Sequence, residues 1–254
     1  MAAILAIMAI CLPLPSHAQG EWRSDDIRFQ PDTLRATIDG CGKLACVSIR
    51  VITFRTSAHR NVPKAMQDSL NKVLFANPFG DSTTPATFDA LRDSTTVAYR
   101  QFRTSMPDVP QHWTVYRKVD VTKPTPRIPF LVFRLTTLDY LGGAHPSMVI
   151  QSMVYTPTGE AVGLEDILIP GYERTLVDIV TTYVRRARNI KNNTSLEKAG
   201  LWLVDGRLPL AKTWYPSDRG LVFLYNTYEI APYAAGPTEV VLPWKRISHL
   251  LRRG

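Results

Sequence analysis

The chain has 254 residues, 30 Lys and Arg against 22 Asp and Glu, 45% hydrophobic residues and three cysteines. That much apolar material excludes a disordered tail, and 14 glycines and 19 prolines without a repeat exclude a fibre. The formal charge of +8 is the unusual global feature, and it favours anionic partners such as nucleic acid, lipid headgroups or envelope polymers.

Residues 2 to 14 carry no charged side chain, and Pro13, Pro15 and the triplet Ser16-His17-Ala18 then break the apolar run. This is the pattern of a signal-peptide core followed by a small-x-small cleavage site, and it falls short of the roughly 20 residues a membrane-spanning helix needs. Cleavage near Ala18 is expected, giving a mature chain that starts at Gln19 and works in the periplasm or outside the cell. The basic segment that usually precedes such a run is missing, and a buried N-terminal helix is the alternative. Bulky Ile10 before Cys11 argues against a lipid anchor there. Residues 1 to 18 contain no Lys, Arg, Asp or Glu, so the mature chain keeps the whole +8. Export also takes nucleic acid off the list of partners.

Cys41 and Cys46 remain, enclosing Gly-Lys-Leu-Ala. In an exported chain this spacing reads as a local disulfide clamping a hairpin or loop, worth about 2 kcal/mol in the chain-entropy model. From Val47 to Thr53 apolar residues alternate, which predicts a strand. Met66, Leu70, Val73 and Leu74 predict a helix over 63–75, opened by Pro63. A second helix is expected from about Pro85 to Arg103, with Thr84 as its cap and Phe88, Leu91, Thr95, Ala98 and Phe102 on one face. Strands follow over 113–121, with Trp113, Val115, Arg117, Val119 and Val121 as one alternating set, and over 128–138.

Past the loop Gly142-Gly143-Ala144-His145-Pro146, period-two spacing from Met148 to Val154 predicts another strand, and 156–159 a turn. A short helix is expected over 164–169 and a longer one over 172–188, with Arg185, Arg186 and Arg188 at the negative end of its dipole. Three strand-like runs, 201–204, 221–229 and 238–242, precede a terminal helix over 244–251. The elements define an α+β chain: antiparallel sheets with a few packed helices, in two intimately packed halves.

The loop Gly142-Gly143-Ala144-His145, the stretch Thr158-Gly159-Glu160 with Leu164-Glu165-Asp166-Ile167-Leu168, and the run from Tyr228 to Pro237 together resemble the DUF3298 domain, over roughly residues 136 to 250. The resemblance implies a half at 136–254 of that type, and by element order a DUF4163-like half at 19–135. Domains of this pair occur in the extracellular part of an anti-sigma factor that binds lysozyme and in the non-catalytic region beside peptidoglycan deacetylases. This chain shows neither an anti-sigma segment nor a deacetylase domain, so those activities are not carried over.

Gly142 and Gly143 permit positive φ and close backbone approach, which suits a tight turn or a loop that lets a ligand near the backbone. His145 is biased towards extended geometry by Pro146. Glu229 lies among Tyr228, Ile230, Pro232 and Tyr233, where an unpaired carboxylate is costly, so it requires a partner: a tyrosine hydroxyl, backbone amides, an arginine or His145. Were His145 and Glu229 to meet, a general acid/base pair would be possible. No serine, cysteine or second carboxylate stands in a catalytic spacing to support it. His59, His112, His145 and His249 are isolated, so no metal or other cofactor is expected.

The expected function is therefore a non-catalytic envelope module that recognises a cell-wall component, an envelope polymer or an exported protein through Gly142, Gly143, His145, Tyr228, Glu229 and Tyr233. The alternatives are a glycan-acting enzyme using His145 and Glu229, and a lysozyme-binding protein. For the last, Asp25, Asp26, Asp32, Asp39, Glu160, Glu165 and Asp166 are the acidic candidates, and the net charge opposes contact with a cationic lysozyme. Arg185, Arg186, Arg188, Lys191, Lys245, Arg246, Arg252 and Arg253 read as solvated helix ends, with contact to an anionic membrane surface as the sharper alternative.

Overall fold

The computed structural model describes residues 27–41, 46–56, 62–80, 85–109 and 111–252. The signal segment, Asp25, Asp26, His59, Thr84 and Arg253 lie outside them. Strands β1 (Phe29–Ile38) and β2 (Val47–Thr56) pair antiparallel from Phe29↔Thr56 to Ile38↔Val47. The Cys41–Cys46 disulfide closes the turn between them, with the two Cα atoms 5.1 Å apart. Sequence reasoning missed β1, because Pro31 and Asp32 are poor strand formers. An edge strand accepts them, since Pro31 needs no ladder donor on its solvent side.

Helices α1 (Lys64–Leu74) and α2 (Phe88–Ser105) follow, burying Met66, Leu70 and Leu74 from the first and Leu91, Thr95 and Tyr99 from the second. Thr87 caps α2: its hydroxyl accepts from the Ala90 N–H at 3.2 Å. Both helices lie between β2 and β3 (Trp113–Thr122), so the chain crosses over and β3 pairs parallel to β2. The other strand pairs are antiparallel, as expected, and this parallel one follows from the length of that connection, since parallel neighbours require a crossover. Strands β4 (Leu131–Tyr140) and β5 (Ser147–Tyr155) complete a five-stranded sheet in the order β1-β2-β3-β4-β5.

One face of this sheet carries Val47, Ile49, Val51, Trp113, Val115, Leu131, Phe133 and Leu135 and packs with α1 and α2 into one core. Period two sends the alternate residues to the other face. At β4 and β5 these are Val132 and Val154, and they join a second core. That core is completed by α3 (Leu164–Ile167), α4 (Glu173–Ala187), the antiparallel strands β6 (Thr213–Ser217), β7 (Gly220–Tyr225) and β8 (Thr238–Pro243), and α5 (Trp244–Ile247). Leu176, Val180 and Val184 of α4 meet Leu221, Phe223, Val240 and Leu242 there. The two sheet bodies thus share β4, which runs without a break through residue 135.

Two strand expectations shorten. Residues 201–204 are not a strand; Asp205 and Gly206, both at positive φ, turn Val204 back onto Arg207. The run from Leu221 ends at Tyr225, because Asn226 turns its side chain to β5 and Tyr228 takes φ 67°. No helix among the described residues is long and apolar enough to cross a membrane.

Candidate binding site

The loop between β4 and β5 and the segment between β7 and β8 come together at one place on the surface. Gly142 and Gly143 have φ of 80° and 135°. At Gly142 the glycine is required twice over: the backbone is left-handed, and a Cβ would stand 1.6 Å from Gln111 Oε1. The turn presents His145, whose ring stacks on Tyr233 with centroids 3.6 Å apart and planes 12° apart. His145 Nδ1 lies 3.2 Å from the Pro146 carbonyl oxygen, which can only accept, so Nδ1 carries the proton. In the neutral ring Nε2 then accepts from the Tyr228 hydroxyl at 3.2 Å. Three of the sequence candidates, His145, Tyr228 and Tyr233, therefore form one aromatic platform, with Tyr228 55% exposed.

Glu229 does something else. Its Oε1 accepts from the Lys212 backbone N–H and its Oε2 from the Asn226 backbone N–H, both at 2.9 Å. Asn226 in turn pairs with β5 as another strand would: the Ile150 N–H donates to its Oδ1 at 2.7 Å, and its Nδ2 donates to the Ile150 carbonyl at 2.9 Å. Of the four partner types the sequence allowed, backbone amides are the ones found. Glu229 and His145 are each bonded elsewhere, and no hydrogen bond joins them.

These anchors hold Tyr228 between two fixed neighbours in the left-handed region. For a bulky residue that region costs about 1–2 kcal/mol, an expense found mostly where function requires it. Behind the site, burial and the nearby Glu229 charge push the Tyr225 hydroxyl well above the ordinary tyrosine range. It stays protonated and donates to the Pro209 carbonyl at 2.9 Å.

Sequence reasoning missed the roles of four residues. Arg188 is not a solvated helix end: its guanidinium donates to Thr238 Oγ1 at 2.7 Å and to the Gly236 carbonyl at 3.1 Å, clamping the turn after Tyr233. Arg185 similarly donates to the carbonyls of Lys191 and Thr194, at 3.1 and 2.8 Å. Trp202 and Val204 are 46% and 61% exposed, and the Trp202 N–H bonds the Ile230 carbonyl, which brings apolar surface to the back of the Tyr228 loop. Only the closeness of Trp202 to a Gly-flanked turn in sequence could have hinted at this.

Three of the acidic candidates are used locally. Glu160 accepts from the hydroxyls of Thr156 and Thr158, each at 3.2 Å, and Asp166 from the Gly163 N–H at 2.7 Å. Asp32 is held below the usual carboxylate range by its hydrogen bond to Arg55. No group of three or more His, Cys, Asp or Glu among the described residues is placed to hold a metal ion.

The fold and the site thus define a two-sheet α+β protein with an aromatic surface platform built on its second body. Residues 165–245 match the family model described as protein of unknown function (DUF3298). The whole architecture is similar to two crystal structures. A DUF3298 family member from Bacteroides fragilis aligns at 21% identity and a TM-score of 0.64, over 90% of this chain and 94% of its own. A DUF3298 family protein from Pseudomonas aeruginosa aligns at 17% and 0.57, over 89% and 95%. At these identities the likeness concerns the fold. No curated protein matches the chain by sequence.

Proposed function

We infer that the protein is an exported, non-catalytic module that recognises a cell-envelope component, and that the platform of His145, Tyr228 and Tyr233 is its contact surface. The observation that carries this is Tyr228: an exposed aromatic side chain kept at φ 67° by an anchored backbone, with its hydroxyl on His145. The exposed Tyr228 ring, with the His145 imidazole at its rim, suits a sugar ring, whose C–H face packs on the aromatic while its hydroxyls reach the polar edge. The envelope glycan is therefore the component this surface fits best. Export is supported by the apolar start of the chain and by the Cys41–Cys46 disulfide. The DUF4163-like reading of residues 19–135 stands beside this proposal on element order.

The reading is tested by titrating soluble peptidoglycan fragments into the protein and following the intrinsic tyrosine and tryptophan fluorescence. Saturable binding that Tyr233→Ala weakens about tenfold or more, with no change in the fragments themselves, is expected. Turnover of the fragments that disappears in His145→Ala would replace the binding reading with the enzymatic one. A cationic lysozyme is expected to bind weakly or not at all at physiological salt, and a clear pull-down would overturn that expectation.

A further inference from the structure

The face of the five-stranded sheet turned away from α1 and α2 holds a second feature. Its β4 and β5 portion is covered by the second body: the Ser152 hydroxyl donates to the Trp214 carbonyl, and Arg134 Nη1 lies 3.4 Å from the Tyr215 hydroxyl. In its β1 to β3 portion Thr33, Arg35, Thr37 and Arg50 are exposed. There Arg35 of β1 stands directly opposite Arg50 of β2, and Arg50 is in turn level with Tyr116 of β3. Both arginines are exposed, and neither has a hydrogen bond or ion pair among the described residues.

Like charges directly opposed on adjacent strands destabilise a sheet, because their Cβ atoms sit only about 5 Å apart. No acidic side chain among the described residues is bonded to this pair. Lys118, one step along, is matched to Asp120 at 2.7 Å, so the acid of this face is already used. Glu239, beside the covered portion, is engaged by the Tyr215 hydroxyl at 3.3 Å. Ser48 and Thr114 flank the arginines on the same face and offer hydroxyl donors.

We propose that Arg35 and Arg50 form a binding site for a linear polymer that carries phosphate groups along its backbone. Guanidinium forks pair bidentately with phosphate oxygens, and two of them on neighbouring strands can hold one phosphate from both sides or two successive ones. The second body covers β4 and β5, so the arginines lie on the remaining part of the face, three strands wide. A strip of that width suits a flexible chain better than a flat bilayer. The site is separate from the aromatic platform and stands or falls without it.

The test is fluorescence anisotropy of labelled linear inorganic polyphosphate on the full chain at several salt concentrations. The double variant Arg35→Gln/Arg50→Gln is expected to weaken binding about tenfold or more, and to flatten the dependence of log K on log salt by about two. The control Lys245→Gln/Arg246→Gln removes the same charge at α5, where both side chains are exposed, and is expected to weaken binding about twofold at most. Equal losses in the two doubles, or no loss in the first, would overturn the proposal. Tighter binding of the wild type to phosphatidylglycerol vesicles than to polyphosphate would overturn the choice of a linear polymer. The single variant Arg50→Gln keeps the fold in view: removing the repulsion leaves its unfolding midpoint at low salt equal to or above that of the wild type. A clear drop would mean that Arg50 serves the fold, contrary to the proposal.

Discussion

Arg117 and Glu229 are each tied down by specific partners, and they hold different things. Arg117 is 1% exposed, in the inward set of β3, where it forms a two-pronged ion pair with Asp139 at 2.6 and 3.1 Å and reaches the Ala76 carbonyl past the end of α1. Charge is met by charge there, and the product is a helix fixed to a sheet. One atom is left over, since Arg117 Nε is buried without a partner. Glu229 is met by two backbone N–H groups instead, and the product is a fixed loop whose side chains remain open to solvent. The contrast separates polar groups that stabilise the fold from polar groups that aim a surface.

The largest effect should come from breaking the first. Asp139→Ala leaves the Arg117 charge buried and unmatched, and a loss of about 3 kcal/mol in urea unfolding is expected, with no specific loss of ligand affinity in the remaining folded protein. Opening the Cys41–Cys46 disulfide should cost about 2 kcal/mol, again without touching the platform, and is read as a lower midpoint under reducing conditions. Glu229→Gln sharpens the comparison from the other side: it sets an amide NH2 against a backbone donor, costs about 1–3 kcal/mol, and frees the Tyr228 loop. Unlike Asp139→Ala, it should therefore reduce binding in protein that is still fully folded. Gly142→Ala is expected to cost about 1–2 kcal/mol, since the backbone is left-handed while Gln111 is able to swing aside.

Much of the fold was legible because its elements are amphipathic. The stripes of α1, α2 and α4 and the alternation of β2, β3 and β5 are burial patterns, and burial is what the folded chain satisfies. Arg117 was legible as a member of an inward-facing set, yet its partner was not, because Asp139 lies 22 residues away and meets it only through the β3–β4 register. The strands β1 and β6 were hidden by Pro31 and Pro216, which edge positions accept and a local pattern does not. At the site, the motif residues could be picked out but their division of labour could not. Tyr228 and Glu229 are adjacent in sequence, and only the position of Asn226 against β5 turns one into platform and the other into anchor. Arg188 looked like any helix-end cation until the turn it clamps was in place.

The smallest stability effect and the largest functional one should coincide at Tyr228. Glycine at this position relieves the left-handed strain, which offsets its own entropic cost, so the unfolding midpoint is expected to stay level or rise slightly. The decisive measurement is co-sedimentation of Tyr228→Gly with insoluble peptidoglycan sacculi beside the wild type. Wild type in the pellet and Tyr228→Gly in the supernatant, at equal or higher stability, is the result expected of a strained binding platform. Equal pelleting of both proteins would contradict it and return Tyr228 to a residue of the turn alone.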